Sequence, residues 1–341
     1  MRILNVAFPF APVRPDSVGG AEQILSTLDS ALVAAGHEAH VLACEGSRTA
    51  GRLHTIPCPA GDIDEAARDA AHAQYRRMIA RIVETERIDL VHLHGIDFAA
   101  YAPEGAPALA TLHLPLDWYN AAIWSLPERI RMHCVSDHQH AGAQSRRLLP
   151  PIANGVAPMA RGDVKRRDVC VLLARICVEK GVHLAIEAAK RADASLLIAG
   201  QVYPYRAHLD YFEREVAPRL DARRRLIGPV QGRAKKRLLS TARAMLAPFT
   251  APETSSLVAM EAISAGAPVI AFRSGALPHI VEHGRTGFLV DDVDAMAEAI
   301  SRTHEIDPAA CRKTAQARFS VERMTRDYFS AYERIVTERA A

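Results

Sequence analysis

Several things are missing from this 341-residue chain, and each absence narrows the reading. The six cysteines (Cys44, Cys58, Cys134, Cys170, Cys177, Cys311) contain no C-x-x-C pair and no evenly spaced framework, which fits a reducing compartment, so disulfides are not expected. No stretch reaches ~18 uninterrupted apolar residues, so no membrane-spanning helix is expected. The opening MRILNVAFPFAP has one Arg and a short apolar run stopping at Pro9, without the longer apolar region and small-residue cleavage site of a signal peptide. The expectation is a cytoplasmic protein. A net charge of +3, from 42 basic and 39 acidic side chains, is too small and dispersed for nucleic acid as a main partner. The runs KRR (165–167), RRR (223–225) and KKR (235–237) lack interleaved aromatics and read as solvated faces. Neither G-x-G-x-x-G nor H-E-x-x-H occurs.

What is present is alternation. ILNVAF (3–8), a helix from Gly20 to Ala35 closed by Gly36, and HVLA (40–43) make a β-α-β start. DLVHLH (89–94), PALATLH (107–113) and MHCVS (132–136) continue it. After the Pro- and Gly-rich LLPPIANGVAP (148–158) a second series begins: VCVLLAR (169–175), SLLIAG (195–200), RLIG (225–228), AMLAPF (244–249), PVIAF (268–272) and GFLV (287–290), with helices between. The fold class is therefore α/β, two Rossmann-like parallel-sheet domains over 1–152 and 153–318, with a helical segment 319–341. Met324, Tyr328, Tyr332 and Val336 recur there at helical spacing and read as packing. Such domains bind ligands outside the carboxyl ends of their strands.

The second half carries the more specific chemistry. Arg175 ends a strand and Lys180 opens a helix five residues later, which is an anion site in outline: a planar fork and a point charge near a helix N-terminus. The bland alternative is two solvated cations. In PETSSLVAMEAISAGAPVIAF (252–272), Ser255 or Ser256 is a suitable N-cap, leaving free N–H groups ahead of Leu257. Glu253 precedes the helix. Glu261 falls about six residues in, ~9 Å along the axis, and a carboxylate accepts two hydrogen bonds from a diol. Dipole complementation by Glu253 and a solvated Glu261 are the alternatives.

In order, ARICVEKG, LLIAG, PETSSLVAMEAISAGAPVIAF, SGALPH and GRTGFLV resemble the C-terminal domain of family-4 glycosyltransferases, retaining enzymes of GT-B architecture acting on nucleotide-diphosphate sugars. The resemblance extends over nearly the whole chain. It implies two Rossmann-like domains facing a central cleft, an N-terminal acceptor domain and a C-terminal donor domain, with the last helix returning to the first. It further implies that Arg175 and Lys180 hold the donor diphosphate, that Glu253 contacts the donor sugar and Glu261 the ribose, and that Ser255, Ser256 and Leu257 line the donor site. Three departures stand out. Ala174 replaces a Gly, Ser255-Ser256 a Phe-Gly, and His279 a Glu; the last bears on donor selectivity.

In the first half, VGGAE (18–22) places Gly19 and Gly20 where backbone can approach a phosphate, with a plain turn as the alternative. His113 matches the family histidine beside the transferred sugar; a buried structural His is the alternative. His92 and His94 share one strand face and read as pocket wall or core. Trp118, Tyr119 and Trp124 suit either sugar stacking or packing. Arg68, Arg76, Arg77 and Arg81 beside Met78, Ile79, Ile82 and Val83 suggest a peripheral membrane surface, which the acidic residues of 63–87 oppose.

The resulting expectation is a metal-independent, cofactor-free retaining hexosyltransferase, UDP the nucleotide expected first. Its acceptor is a hydroxyl on a saccharide, a lipid-linked molecule or a small molecule. Two other readings compete: a nucleotide-sugar-binding protein without transfer, and a metal-dependent hydrolase using His92, His94 and His113 with Asp97 or Asp117.

Overall fold

A computed structural model describes residues 1–58, 63–143, 148–159 and 164–340. Residue 341, the end of the expected terminal segment, lies outside them. Packing divides the chain into two compact units, Met1–Asn154 with Val321–Ala341, and Gly155–Ser320.

The first unit is a seven-stranded parallel sheet. Its strands are β1 (Arg2–Val6), β2 (Glu38–Cys44), β3 (Arg52–Ile56), β4 (Leu90–Leu93), β5 (Ala108–Leu112), β6 (Ile130–Cys134) and β7 (Leu148–Leu149), in the order β3-β2-β1-β4-β5-β6-β7. β4 and β5 are buried along their whole length, the pattern of parallel strands covered on both faces. The second unit is a six-stranded parallel sheet of β8 (Cys170–Leu173), β9 (Leu196–Ala199), β10 (Arg224–Leu226), β11 (Ala244–Ala247), β12 (Val269–Phe272) and β13 (Gly287–Val290), in the order β10-β9-β8-β11-β12-β13. Strand order reverses between β1 and β4 in one sheet and between β8 and β11 in the other. At such a reversal two successive loops diverge and leave room for a ligand.

The helix Val321–Ala340 packs with the first unit. Met324, Tyr328 and Tyr332 are fully buried as the helical spacing predicts, but Ile335 rather than Val336 takes the next inward position. The phenolic tips make this face polar. Tyr332 Oη lies 2.7 Å from His92 Nδ1, and Tyr328 Oη 3.2 Å from Thr111 Oγ1. Thr111 Oγ1 also meets His92 Nε2 at 2.8 Å and His133 Nε2 at 2.7 Å. Burial lowers the pKa of both histidines, so they are neutral. Since His133 Nδ1 donates to the Cys134 carbonyl, its Nε2 must accept from Thr111; that hydroxyl then accepts from His92 Nε2–H, and His92 Nδ1 accepts from Tyr332. One hydroxyl sets the tautomers of two rings.

The helix Glu65–Thr85 is capped by Asp64, which accepts from the Ala67 N–H at 2.8 Å. Its apolar stripe faces the core: Ile79 and Ile82 are buried and Met78 and Val83 pack beside them, while Arg68, Arg76, Arg77 and Arg81 are exposed. The stripe considered for a membrane surface is thus committed to packing. Among the described residues no helix is long and apolar enough to cross a membrane.

Candidate functional site

The carboxyl ends of β8 and β11 are neighbours, and the loops after them are stitched together. β8 is extended past Leu173 by Ala174 N–H to the Ala199 carbonyl and Ile176 N–H to the Gln201 carbonyl, 3.2 and 3.0 Å. A tight turn, Val178–Lys180, follows. Thr250 N–H donates to the Glu179 carbonyl at 3.0 Å and Thr250 Oγ1 to the Val178 carbonyl at 3.3 Å. Gly181 closes the turn at φ 57°, against the Pro248 carbonyl, where a Cβ would fall 2.1 Å from oxygen.

This stitching places Lys180 beside Glu253. The two form an ion pair, each 16% exposed, and the ammonium sits 4.5 Å above the Phe249 ring. Glu253 is braced from behind by the loop after β12. Ala276 N–H donates to its carbonyl at 2.8 Å, and Gly275, at φ 57°, packs where a Cβ would meet the Glu253 nitrogen at 2.2 Å. That contact explains the Ser-Gly-Ala sequence: only glycine fits. Arg175 is exposed and makes no ion pair among the described residues. Burial pushes the Cys177 thiol up to about 11, which leaves it protonated and inert as a nucleophile near neutral pH.

The helix after Glu253 runs Leu257–Ser264 with Ser256 at the N-cap position. Contrary to the capping expected from sequence, the Ser256 side chain makes no cap hydrogen bond; its Oγ is buried and has no partner. The first turn therefore keeps uncapped N–H groups beside an unused hydroxyl. Leu257, half-buried, anchors this turn to the core. Because the helix starts at Leu257, Glu261 is only four residues beyond its first residue, ~6 Å along the axis rather than ~9 Å. The residue is 8% exposed, and its carboxylate accepts from Lys235 Nζ at 2.6 Å. Burial raises the Glu261 pKa, against Lys235, which lowers it.

Lys235 is the residue that sequence reasoning missed. Reading KKR as a solvated face fails at this position, since the Lys235 side chain is 20% exposed and paired. The signal was its spacing: Lys235 lies three and four residues before Leu238 and Leu239, on the inward face of the helix Gly232–Thr241. His279 is exposed on the short helix Leu277–Ile280.

In the first unit, Gly19 holds the N-cap position and Gly20 opens the helix Gly20–Ala34, both exposed. A Cβ at Gly19 would lie 1.9 Å from a Glu22 carboxyl oxygen, so the glycine makes room for the protein's own carboxylate at this helix start. Burial raises the Glu22 pKa. His113 follows β5 directly, half-buried, with Nε2 3.1 Å from His94 Nδ1 and its pKa lowered to about 3 by burial and then by His133. Tyr119 is core, its hydroxyl accepting from Leu114 N–H; Trp124 packs at the core edge and Trp118 is 57% exposed.

The structure does not assemble the histidine metal site. Both ring nitrogens of His92 are committed to Tyr332 and Thr111, and Asp97 is held by His72 at 2.6 Å and Tyr101 at 2.7 Å. Asp117 is exposed in a separate turn, Leu116–Trp118.

Residues 18–156 match the sequence family described as Glycosyltransferase Family 4, and residues 167–305 the family described as Glycosyl transferases group 1. A phosphatidyl-myo-inositol mannosyltransferase of Mycolicibacterium smegmatis is 26% identical over 350 residues, covering 92% of this chain and 88% of its own. The fold is similar to sucrose-phosphate synthase of Thermosynechococcus elongatus, with a TM-score of 0.80 at 20% identity and 99% of each chain covered. It is also similar to Anabaena HepE in complex with UDP and glucose, with a TM-score of 0.74 at 18% identity, covering 98% of this chain and 99% of that one.

Proposed function

This chain belongs to the family-4 glycosyltransferases of GT-B architecture, and on that premise we propose that it moves a hexose from a nucleotide-diphosphate sugar, UDP the expected nucleotide, to an acceptor hydroxyl with retention of anomeric configuration. The observation that carries the reading is the set at the β8/β11 reversal: an unpaired Arg175, a Lys180–Glu253 pair, and an uncapped helix start with a buried, unpartnered Ser256 hydroxyl. A diphosphate satisfies all three. UDP in the HepE complex supports the choice of nucleotide.

Cleavage of the anomeric bond leaves negative charge on the departing phosphate, and stabilising that charge is the main catalytic task. In this reading Arg175 grips the diphosphate as a fork, Ser256 and the Leu257 N–H donate to it, and no metal is needed. Lys180 turns from Glu253 toward the phosphate, which releases the Glu253 carboxylate to accept hydrogen bonds from the sugar hydroxyls. Glu261 accepts from the ribose diol, and the Lys235 ammonium opposes the upward push of burial on its pKa. His113, neutral near pH 7, is not proposed as a covalent nucleophile.

The test is a thermal-shift panel of UDP-, GDP- and ADP-sugars, since a ligand raises apparent stability by about RT ln(1 + [L]/Kd), followed by nucleotide release from the stabilising donor. UDP-sugars are expected to give the largest shift. No shift with any donor would defeat the proposal, and a shift without nucleotide release even with saccharide acceptors would leave a binding protein instead.

A further inference from the structure

Beside the β8 loop lies a second constellation that the transfer reaction does not use. Cys177 caps the turn that carries Lys180, Glu179 lies within that turn, and His208 is in the helix Arg206–Tyr211 that follows the neighbouring strand β9. One ligand atom from each, a thiol sulfur, a carboxylate oxygen and a ring nitrogen, lies within 4.8 Å of the other two. Cys177 is fully buried. His208 Nδ1 is buried with no hydrogen-bond partner, and its ring is walled by Tyr205 and Tyr203, with centroids at 5.2 and 6.5 Å.

We propose that Cys177, Glu179 and His208 bind a divalent cation of the zinc class. The donor set suits such an ion: sulfur and imidazole select a borderline-soft metal over Mg²⁺ or Ca²⁺, which take oxygen ligands. The spacing suits it as well. Bonds of ~2.0 to 2.3 Å in a tetrahedron put ligand atoms roughly 3.3 to 3.8 Å apart, so small rotamer changes close the site. Three protein ligands leave a fourth position for water. The ion would tie the loop after β9 to the turn that carries Lys180. That role is structural, because none of its ligands is among the residues proposed to touch the donor.

The experiment uses the full chain, stripped with a chelator and titrated with Co²⁺, then with Zn²⁺ in competition. One Co²⁺ per chain is expected, with the near-ultraviolet thiolate-to-cobalt charge-transfer band of a sulfur ligand. His208→Ala, at a partly exposed position, should weaken binding by roughly 10- to 100-fold while the metal-free melting temperature stays unchanged. Cys177→Ser should abolish the band. Absence of a thiolate band in the wild type, or a band and affinity unchanged in His208→Ala, overturns the proposal. If Cys177→Ser does not fold, the His208→Ala titration decides alone.

Discussion

The two units share one architecture and differ in where they keep their polar groups. The first sheet buries Asn5, His40, His92, Thr111 and His133 within its strands. In the second, no described strand residue is both buried and polar; Ser256 stands at the N-cap position of a helix and Glu261 in the middle of that helix, and Arg175, Lys180 and Glu253 are in loops. The first unit thus spends hydrogen bonds on holding its last helix to the sheet, while the second has apolar strands, one buried ion pair between helices (Lys235–Glu261), and its other site charges in the loops at the strand ends. A polar interior gives directional fixation at the cost of sensitivity to protonation. An apolar interior is indifferent to pH and leaves its chemistry to the loops.

The sharpest way to break this contrast is at the loops. Arg175→Ala or Lys180→Ala should lower turnover by ~10² to 10³, as loss of one charge-stabilising donor does, with the melting temperature retained in Arg175→Ala, whose side chain is exposed, and lowered in Lys180→Ala, which leaves the mostly buried Glu253 carboxylate without its partner. Unchanged turnover in both variants would remove the assigned roles. Next in size is Thr111→Val. It strands His92, His133 and Tyr328 at once, at about 1 to 3 kcal/mol for each buried group left unpaired, and should destabilise the first unit by about 3 kcal/mol in urea without altering UDP affinity. A loss below about 0.5 kcal/mol, the range of an ordinary surface change, would show the network to be idle.

Acid separates the units by a different route. His113 and His133 have folded pKa values of about 3 and about 4, both below the usual 6.5. The unfolded chain therefore takes up protons first. Their contribution to stability is complete above about pH 6.5 and is lost as the pH falls from there through about 4 for His133 and about 3 for His113. Both tryptophans, Trp118 and Trp124, belong to the first unit, so their emission should change in this window while much of the far-ultraviolet helical signal persists. Coincident loss of the two signals would contradict the contrast. The smallest expected effect is at the buried pair of the second unit: Glu261→Gln should weaken UDP binding about tenfold by replacing a charged acceptor with a neutral one. Lys235→Met should act in the same direction, because burial then raises the Glu261 pKa unopposed. Equal UDP affinity by calorimetry in both would end the ribose assignment.

Much of this was legible in the residues. Short apolar runs alternating with amphipathic stretches mark eleven of the thirteen strands, because a strand buried on both faces has no alternative composition; β3 and β7, only partly buried at the edges of the first sheet, carry no such run and escape it. Arg175, Lys180, Glu253 and Glu261 stand out through type and spacing. Their partners do not. The Lys180–Glu253 pair joins residues 73 apart, and Lys235–Glu261 joins residues 26 apart across two helices. The Ser256 cap was expected from residue type, yet its hydroxyl turns inward without bonding the helix.

Taken alone, the order of residues determined the strand-helix alternation, the reversal of polarity between core and loop, and the identity of the charged groups near strand ends, since these follow from local periodicity and side-chain chemistry. Tertiary structure alone decided which charges neutralise each other, which histidines are locked as neutral tautomers, and which glycines are compelled by a neighbouring backbone. Those outcomes depend on distances between atoms far apart along the chain, and on the removal of water from around them, neither of which any local pattern encodes.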